Sequence, residues 1–340
     1  MKICIFYSSP KLGDLILHLP FIKAISDKFK TKVIVCINKK IGIKKILEKQ
    51  NYIDSIIENN FRRGKYFISD IFDLTSLLKK KKFTHAYILE KTKGAAIASC
   101  LSGIDNIYGF GIGSQKFFVN KSACLEHDDL RYNYTKQSLK FLSKLDIKVS
   151  FDQKFIQLDN NFNKTIKKEL AHYKKPWVCF GVDSTETNRI WPQEKFASLG
   201  DSLIEKKLAG TIFVIHSNNH TTYFENILSK SINKEVFVDC RSLNRSEIIQ
   251  LIDISNFFVG IDSGPSCVSG ALNKKTFCII GPTDATLPRF KSMYKITSDF
   301  YDNRREIGNK RCGDNFVQNN EEAKSIRIEN VLDKILKNIK

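Results

Sequence analysis

The sequence predicts an α/β protein of two Rossmann-like domains facing one cleft, and three observations carry that expectation. Short β-branched runs alternate with helical periodicity along the chain, the pattern of parallel strands with helices on both faces of a sheet. The alternation restarts after a polar stretch at 148–163. The length, 340 residues, exceeds one ordinary core, since about 150 residues per domain gives two. Ligands of such sheets bind outside the carboxyl ends of the strands, so chemistry is sought in the loops that follow strands.

Taken in order, strands are expected at 2–7, 32–37, 52–57, 84–89 and 106–110, all apolar runs rich in Ile, Val, Phe or Tyr. Helical patterns lie between them at 15–29, 41–47, 71–81 and 94–101, and a longer one near 130–145 closes this half. The second half places strands at 177–182, 210–216, 236–239, 257–261 and 276–280, with helices at 193–205, 221–231, 245–254 and 265–272. In a last amphipathic helix at 326–339, Ile328, Val331, Leu332, Ile335 and Ile339 recur at helical spacing. The domains are accordingly set at 1–155 and 156–325, with 326–340 a separate C-terminal helix.

Composition narrows the class. With 42% hydrophobic and 27% charged residues, the chain can bury a core and is not disordered. No apolar run approaches the ~20 residues of a spanning helix. Only five apolar residues, Ile3 to Tyr7, follow Met1-Lys2, too few for a signal-peptide core, so a soluble cytoplasmic protein is expected. The nine cysteines are odd in number, scattered and without a C-x-x-C pair, which points to buried thiols in a reducing compartment rather than disulfides or zinc. The formal charge is +19. Residues 1–150 hold 27 basic and 13 acidic groups (+14), and residues 151–340 hold 28 and 23 (+5). The first half thus carries a field suited to an anionic partner, unless its lysines simply solvate the surface. No recognised nucleic-acid motif accompanies that charge, so a nucleic-acid partner is not expected.

Four loops carry candidate chemistry. The first, Ser8-Ser9-Pro10-Lys11-Leu12-Gly13-Asp14, follows the first strand. Gly13 allows a tight turn, and Asp14 is either an ordinary N-cap or a carboxylate presented at the strand's end. No G-x-G-x-x-G dinucleotide fingerprint occurs there. The second, 182–192, brings Ser184, Thr185, Thr187 and Arg189 before Trp191-Pro192. Its hydroxyls and planar guanidinium suit phosphate oxygens, with Trp191 expected to pack. The third is Val259-Gly260-Ile261-Asp262-Ser263-Gly264-Pro265-Ser266-Cys267, a buried strand turning into a helix whose first amides form an anion site, with Pro265 at an early helical position. Asp262 either accepts from a sugar hydroxyl or holds the turn. The fourth is Gly281-Pro282-Thr283-Asp284.

These residues carry a resemblance. L-G-D-L-I-L-H-L-P at 12–20 resembles the opening motif of the glycosyltransferase family 9 heptosyltransferases, and N-R-I-W-P at 188–192 resembles their K-x-W-P segment. V-G-I-D-S-G-P-S-C at 259–267 resembles their D-T-G motif, and G-P-T-D at 281–284 is similar to theirs in sequence and place. The resemblance implies a GT-B fold with the acceptor domain first, the nucleotide-sugar domain second, and a final helix able to cross back. It implies metal-free, inverting transfer of a heptose, usually from ADP-heptose, to a lipopolysaccharide inner core. Asp14 then matches the catalytic base, and Arg189 matches a phosphate-binding lysine. Asp262, Ser263 and Gly264 match the donor-binding turn, while Ser8, Ser9 and Gly13 form the acceptor or phosphate loop beside Asp14. The implied partners are a nucleotide-sugar, an anionic lipid-linked saccharide and the inner membrane surface, with no cofactor. Lys39-Lys40, Lys44-Lys45, Arg62-Arg63 and Lys79 to Lys82 are candidates for the basic field. Independently, no two aspartates stand two apart, so the D-x-D metal motif is missing. The sequence departs from the family at Cys267, where a histidine is expected, at Arg189, and at Asn218-Asn219-His220-Thr221, where an acidic residue is expected. A GT-B transferase of another sugar, acting on another surface glycan or a protein, is the alternative.

Overall fold

The computed structural model describes residues 1–60, 66–158, 163–217, 222–283, 289–298 and 321–339. The chain forms two compact units, Met1–Phe151 and Asp152–Lys340. Residues 326–339, set apart above as a separate helix, thus cluster with the second unit.

In the first unit five parallel strands, β1 (Ile3–Tyr7), β2 (Val33–Asn38), β3 (Ile53–Asn59), β4 (His85–Ile88) and β5 (Asn106–Gly109), lie in the order β3-β2-β1-β4-β5. β1 and β2 are buried throughout, as continuous apolar runs covered on both faces must be. The chain leaves β1 toward β2 and β3, then returns to β4 and β5 on the other side, so the order reverses between β1 and β4. The helix expected at 15–29 is broken into Leu12–Ile16 and Leu19–Phe29. Pro20 is the reason: it has no N–H and belongs in the first turn of a new helix. The expected 41–47 helix also splits, into a 3-10 turn Lys39–Ile41 and a turn of helix Lys44–Leu47, with left-handed Gly42 between them. The 130–145 helix shortens to Tyr134–Ser143, where Asn133 accepts a capping bond from the Lys136 amide at 3.0 Å.

The second unit has six parallel strands: β6 (Trp177–Gly181), β7 (Thr211–Ile215), β8 (Phe237–Asp239), β9 (Phe257–Ile261), β10 (Thr276–Ile280) and β11 (Met293–Thr297). Their order, β11-β10-β9-β6-β7-β8, is the doubly wound arrangement that reverses at its centre, between β6 and β9. There the register pairs Gly181 with Gly260. A Cβ at Gly260 would lie 2.7 Å from the Gly181 carbonyl oxygen, so glycine alone fits this close approach. Sequence reading missed β11, an edge strand only partly buried, and the short helices Lys164–Glu169 and Glu321–Ser325. The final helix, Ile328–Ile339, buries Val331 and Ile335 in the core formed with Phe196, Leu199 and Ile279. Trp191 and Lys195 fasten its approach: the indole N–H donates to the Ile326 carbonyl at 3.0 Å, and Lys195 Nζ to the Lys324 carbonyl at 2.6 Å.

Candidate active site

Each unit gathers its candidate residues where its strand order reverses. In the second unit, the loop after β6 makes a 3-10 turn, Thr187–Arg189, that aims Arg189 at the end of β9. Arg189 Nη1 donates to the Asp262 main-chain carbonyl at 3.4 Å and lies 3.9 Å from its Oδ2, while Nη2 pairs with Glu186 at 2.7 Å. Asp262 follows β9 directly and is buried. Burial would raise its carboxyl, but the charge and hydrogen bond of Arg289, with Arg189 and Thr283, together hold it below the ordinary carboxylate range. Ser263 occupies the N-cap of helix Gly264–Ala271 in extended conformation, with Pro265 in the first turn. Its buried hydroxyl has no hydrogen-bond partner among the described residues, and the first amides of such a helix have no intrahelical acceptor.

The structure thus brings Arg189, Asp262, Ser263 and Gly264 together. The other hydroxyls of the loop do not join them: Ser184 Oγ accepts from the Glu186 amide at 3.1 Å, and Thr185 and Thr187 are exposed. Trp191 is fully buried, edge-on to Phe196 at 4.8 Å. Thr283 of the fourth loop is buried and contributes to lowering the Asp262 carboxyl, whereas Asp284, Arg62-Arg63, Cys312 and Asn218 to Thr221 lie outside the described residues. Cys267, in the histidine's place, is buried. Arg289 was missed. The signal available was a buried aspartate in need of a cation, but nothing local in sequence links positions 262 and 289.

In the first unit, Ser8 and Ser9 are buried after β1. The Ser8 amide donates to Glu90 Oε1 at 2.7 Å, its hydroxyl donates to the same oxygen, and Thr92 Oγ1 lies 3.3 Å from that hydroxyl. Glu90 itself is fully buried after β4. Ser8 is therefore committed to the fold rather than offered to a phosphate. Ser9 Oγ donates to Asp14 Oδ2 at 2.8 Å, which orients that half-buried carboxylate. Two expectations need correction. Asp14 is not the N-cap, a position held by Lys11, but the third residue of helix Leu12–Ile16. Gly13 lies inside that helix and does not have a positive φ, so no tight turn depends on it. His18 Nδ1 donates to the Asp14 carbonyl at 2.7 Å and its ring stacks on Tyr7 at 4.0 Å, fixing the helix against β1. Among the described residues no three His, Cys, Asp or Glu side chains form a metal-binding group.

A sequence model of glycosyltransferase family 9 (heptosyltransferase) matches residues 71–306. The chain belongs to that family. It is a glycosyltransferase of the heptosyltransferase type. Lipopolysaccharide heptosyltransferase 1 of Campylobacter coli is 25% identical over 311 residues, covering 86% of this chain and 87% of that one. Among solved structures, the family 9 glycosyltransferase from Veillonella parvula has a TM-score of 0.78 at 15% identity, covering 99% of this chain and 97% of its own. ADP-heptose LPS heptosyltransferase II of E. coli has a TM-score of 0.75 at 16% identity, covering 100% and 98%. E. coli heptosyltransferase WaaC, solved with ADP-2-deoxy-2-fluoro heptose, has a TM-score of 0.68 at 14% identity, covering 99% and 100%. The fold is therefore GT-B, with two Rossmann-like domains.

Proposed function

We propose that this family 9 chain transfers a heptose from ADP-heptose to a lipopolysaccharide inner-core acceptor in the cytoplasm, with inversion and without a metal. The observation that carries this reading is the cluster of Arg189, Asp262 and the helix start at Ser263-Gly264, placed where a doubly wound sheet binds nucleotides. The Campylobacter relative's name and the ADP-sugar bound to the E. coli enzyme support the acceptor and the donor.

In this reading Asp14 is the general base. Its carboxylate takes the proton of the acceptor hydroxyl as the oxygen attacks the anomeric carbon. Attack from the face opposite the leaving group inverts that carbon. The C1–O bond to the diphosphate breaks, and the departing ADP gains negative charge. Arg189 and the amides after Asp262 stabilise that charge with donors already in place. The altered residue Cys267 keeps the alternative of another nucleotide-sugar open to the same test.

The test offers ADP-heptose, UDP-, GDP- and TDP-sugars with a soluble, delipidated inner-core acceptor, and reads product configuration by NMR. Product should form from ADP-heptose with an inverted anomeric centre, and EDTA should leave the rate nearly intact. Activity abolished by EDTA and restored by Mg²⁺ would transfer the electrostatic role from Arg189 to a metal. Transfer from another sugar alone would replace the donor.

A further inference from the structure

We propose that Arg289 is a positioning residue of the donor site: it occupies the Asp262 carboxylate and so keeps the Arg189 guanidinium available to an anionic ligand, a nucleoside diphosphate. This rests on the assignment of Arg189 to the donor.

Two guanidinium groups approach one buried carboxylate on unequal terms. Arg289 Nη1 donates to Asp262 Oδ1 at 2.6 Å, whereas the nearest Arg189 nitrogen is 3.9 Å from Oδ2 and bonds the main-chain carbonyl instead. The Arg289 side chain is 2% exposed and that of Arg189 is 22%. One arginine is enclosed and the other can be reached. The remaining partner of Arg189, Glu186, is 39% exposed, and such an ion pair is weak in water and easily exchanged for a phosphate oxygen.

Charge bookkeeping explains the pairing. Arg189, Glu186, Asp262 and Arg289 sum to zero, beside the positive end of helix Gly264–Ala271. Without Arg289 the sum is −1. A buried, uncompensated carboxylate would then take the nearest cation, which is Arg189. Stability alone is a poor account of Arg289. Among the described residues its Nε and Nη2 are buried without hydrogen-bond partners, and a buried ion pair is often no more stable than well-packed apolar residues.

The test is a double-mutant cycle read by calorimetry with ADP. Arg289→Gln should weaken ADP binding about tenfold or more, and Arg289→Lys, which keeps the charge, should recover most of that loss. In an Arg189→Ala background Arg289→Gln should have almost no further effect, because no guanidinium is left to capture. Additive losses, or wild-type affinity in Arg289→Gln, would overturn the inference while leaving the donor assignment standing. Wild-type affinity in Arg189→Ala would overturn both. If Arg289→Gln does not fold, Arg289→His carries the test. Charged at pH 6, its imidazole should support ADP binding. Neutral by pH 8.5, it should lose about tenfold relative to wild type at the same pH. Besides Asp262 and Arg189, the groups facing this position among the described residues are the thiols of Cys267 and Cys278. Burial pushes Cys278 up to about 12, outside that range. A variant that followed wild type across this range would overturn the inference.

Discussion

Asp14 and Asp262 are both aspartates placed just after a strand, yet their surroundings give them different work. Asp262 is enclosed between arginines and held ionised, which suits a fixed counter-charge and not proton transfer. Asp14 is half-buried, and the Ser9 hydroxyl orients it by donating to its Oδ2 at 2.8 Å. A carboxylate so held is suited to accept a proton from a hydroxyl that approaches it. Asp14→Asn keeps the volume and the Ser9 contact but removes the basic oxygen. Turnover should therefore fall by about a hundredfold or more, with folding and ADP affinity unchanged. Turnover near wild type, with folding confirmed by circular dichroism, would remove Asp14 from the mechanism.

At the scale of elements, the final helix shows how a short segment is made part of a core. Ile335 and Val331 are fully buried, and Ile326 reaches the same core ahead of the helix. Ile335→Ala should lower the unfolding free energy of the protein by about 2–5 kcal/mol in a urea titration; a change below about 1 kcal/mol would mean that this helix is only loosely docked. This helix was legible because its apolar positions repeat every three to four residues. So were β6, β7, β9 and β10, whose runs of Val, Ile and Phe are buried on both faces. Edge strand β11 was not, because Tyr294, Lys295 and Thr297 stay partly exposed and break the apolar run. The break before Pro20 could have been read from proline chemistry but was hidden by a continuous helical period. The site was legible where its residues are local to a strand end, as at Asp14 and Asp262–Gly264. It was illegible at Glu90 and Arg289, whose partners, Ser8 and Asp262, lie 82 and 27 residues away in sequence.

For the whole molecule, the charge is uneven and the first unit also exposes large apolar side chains. Residues 1–150 carry 27 basic against 13 acidic groups. On this unit Phe67, Ile68 and Phe72 are 79%, 73% and 64% exposed at the start of helix Ile68–Lys81, an unusual cost for large apolar side chains. At 100° per residue, Ile68, Phe72 and Lys79 fall within about 40° of one another, so two of the exposed apolar residues and one lysine of the last turn share one face. We propose an anionic lipid surface as the occupant. Each lysine near such a surface contributes about 1 kcal/mol, and an apolar group adds the second signal that stable attachment requires. Vesicles of phosphatidylglycerol and phosphatidylethanolamine should therefore co-sediment the purified protein, and phosphatidylcholine vesicles should not. Raising the salt to 0.5 M should release most of it, because exposed charges are screened over a few ångströms there. Phe67→Ser/Phe72→Ser should reduce binding several-fold while leaving transfer to a soluble acceptor unchanged. Equal binding to both vesicle types, or no effect of the double substitution, would overturn the lipid assignment. A substitution that instead shifted the protein's mass in solution would show the face to be a contact between copies of the chain.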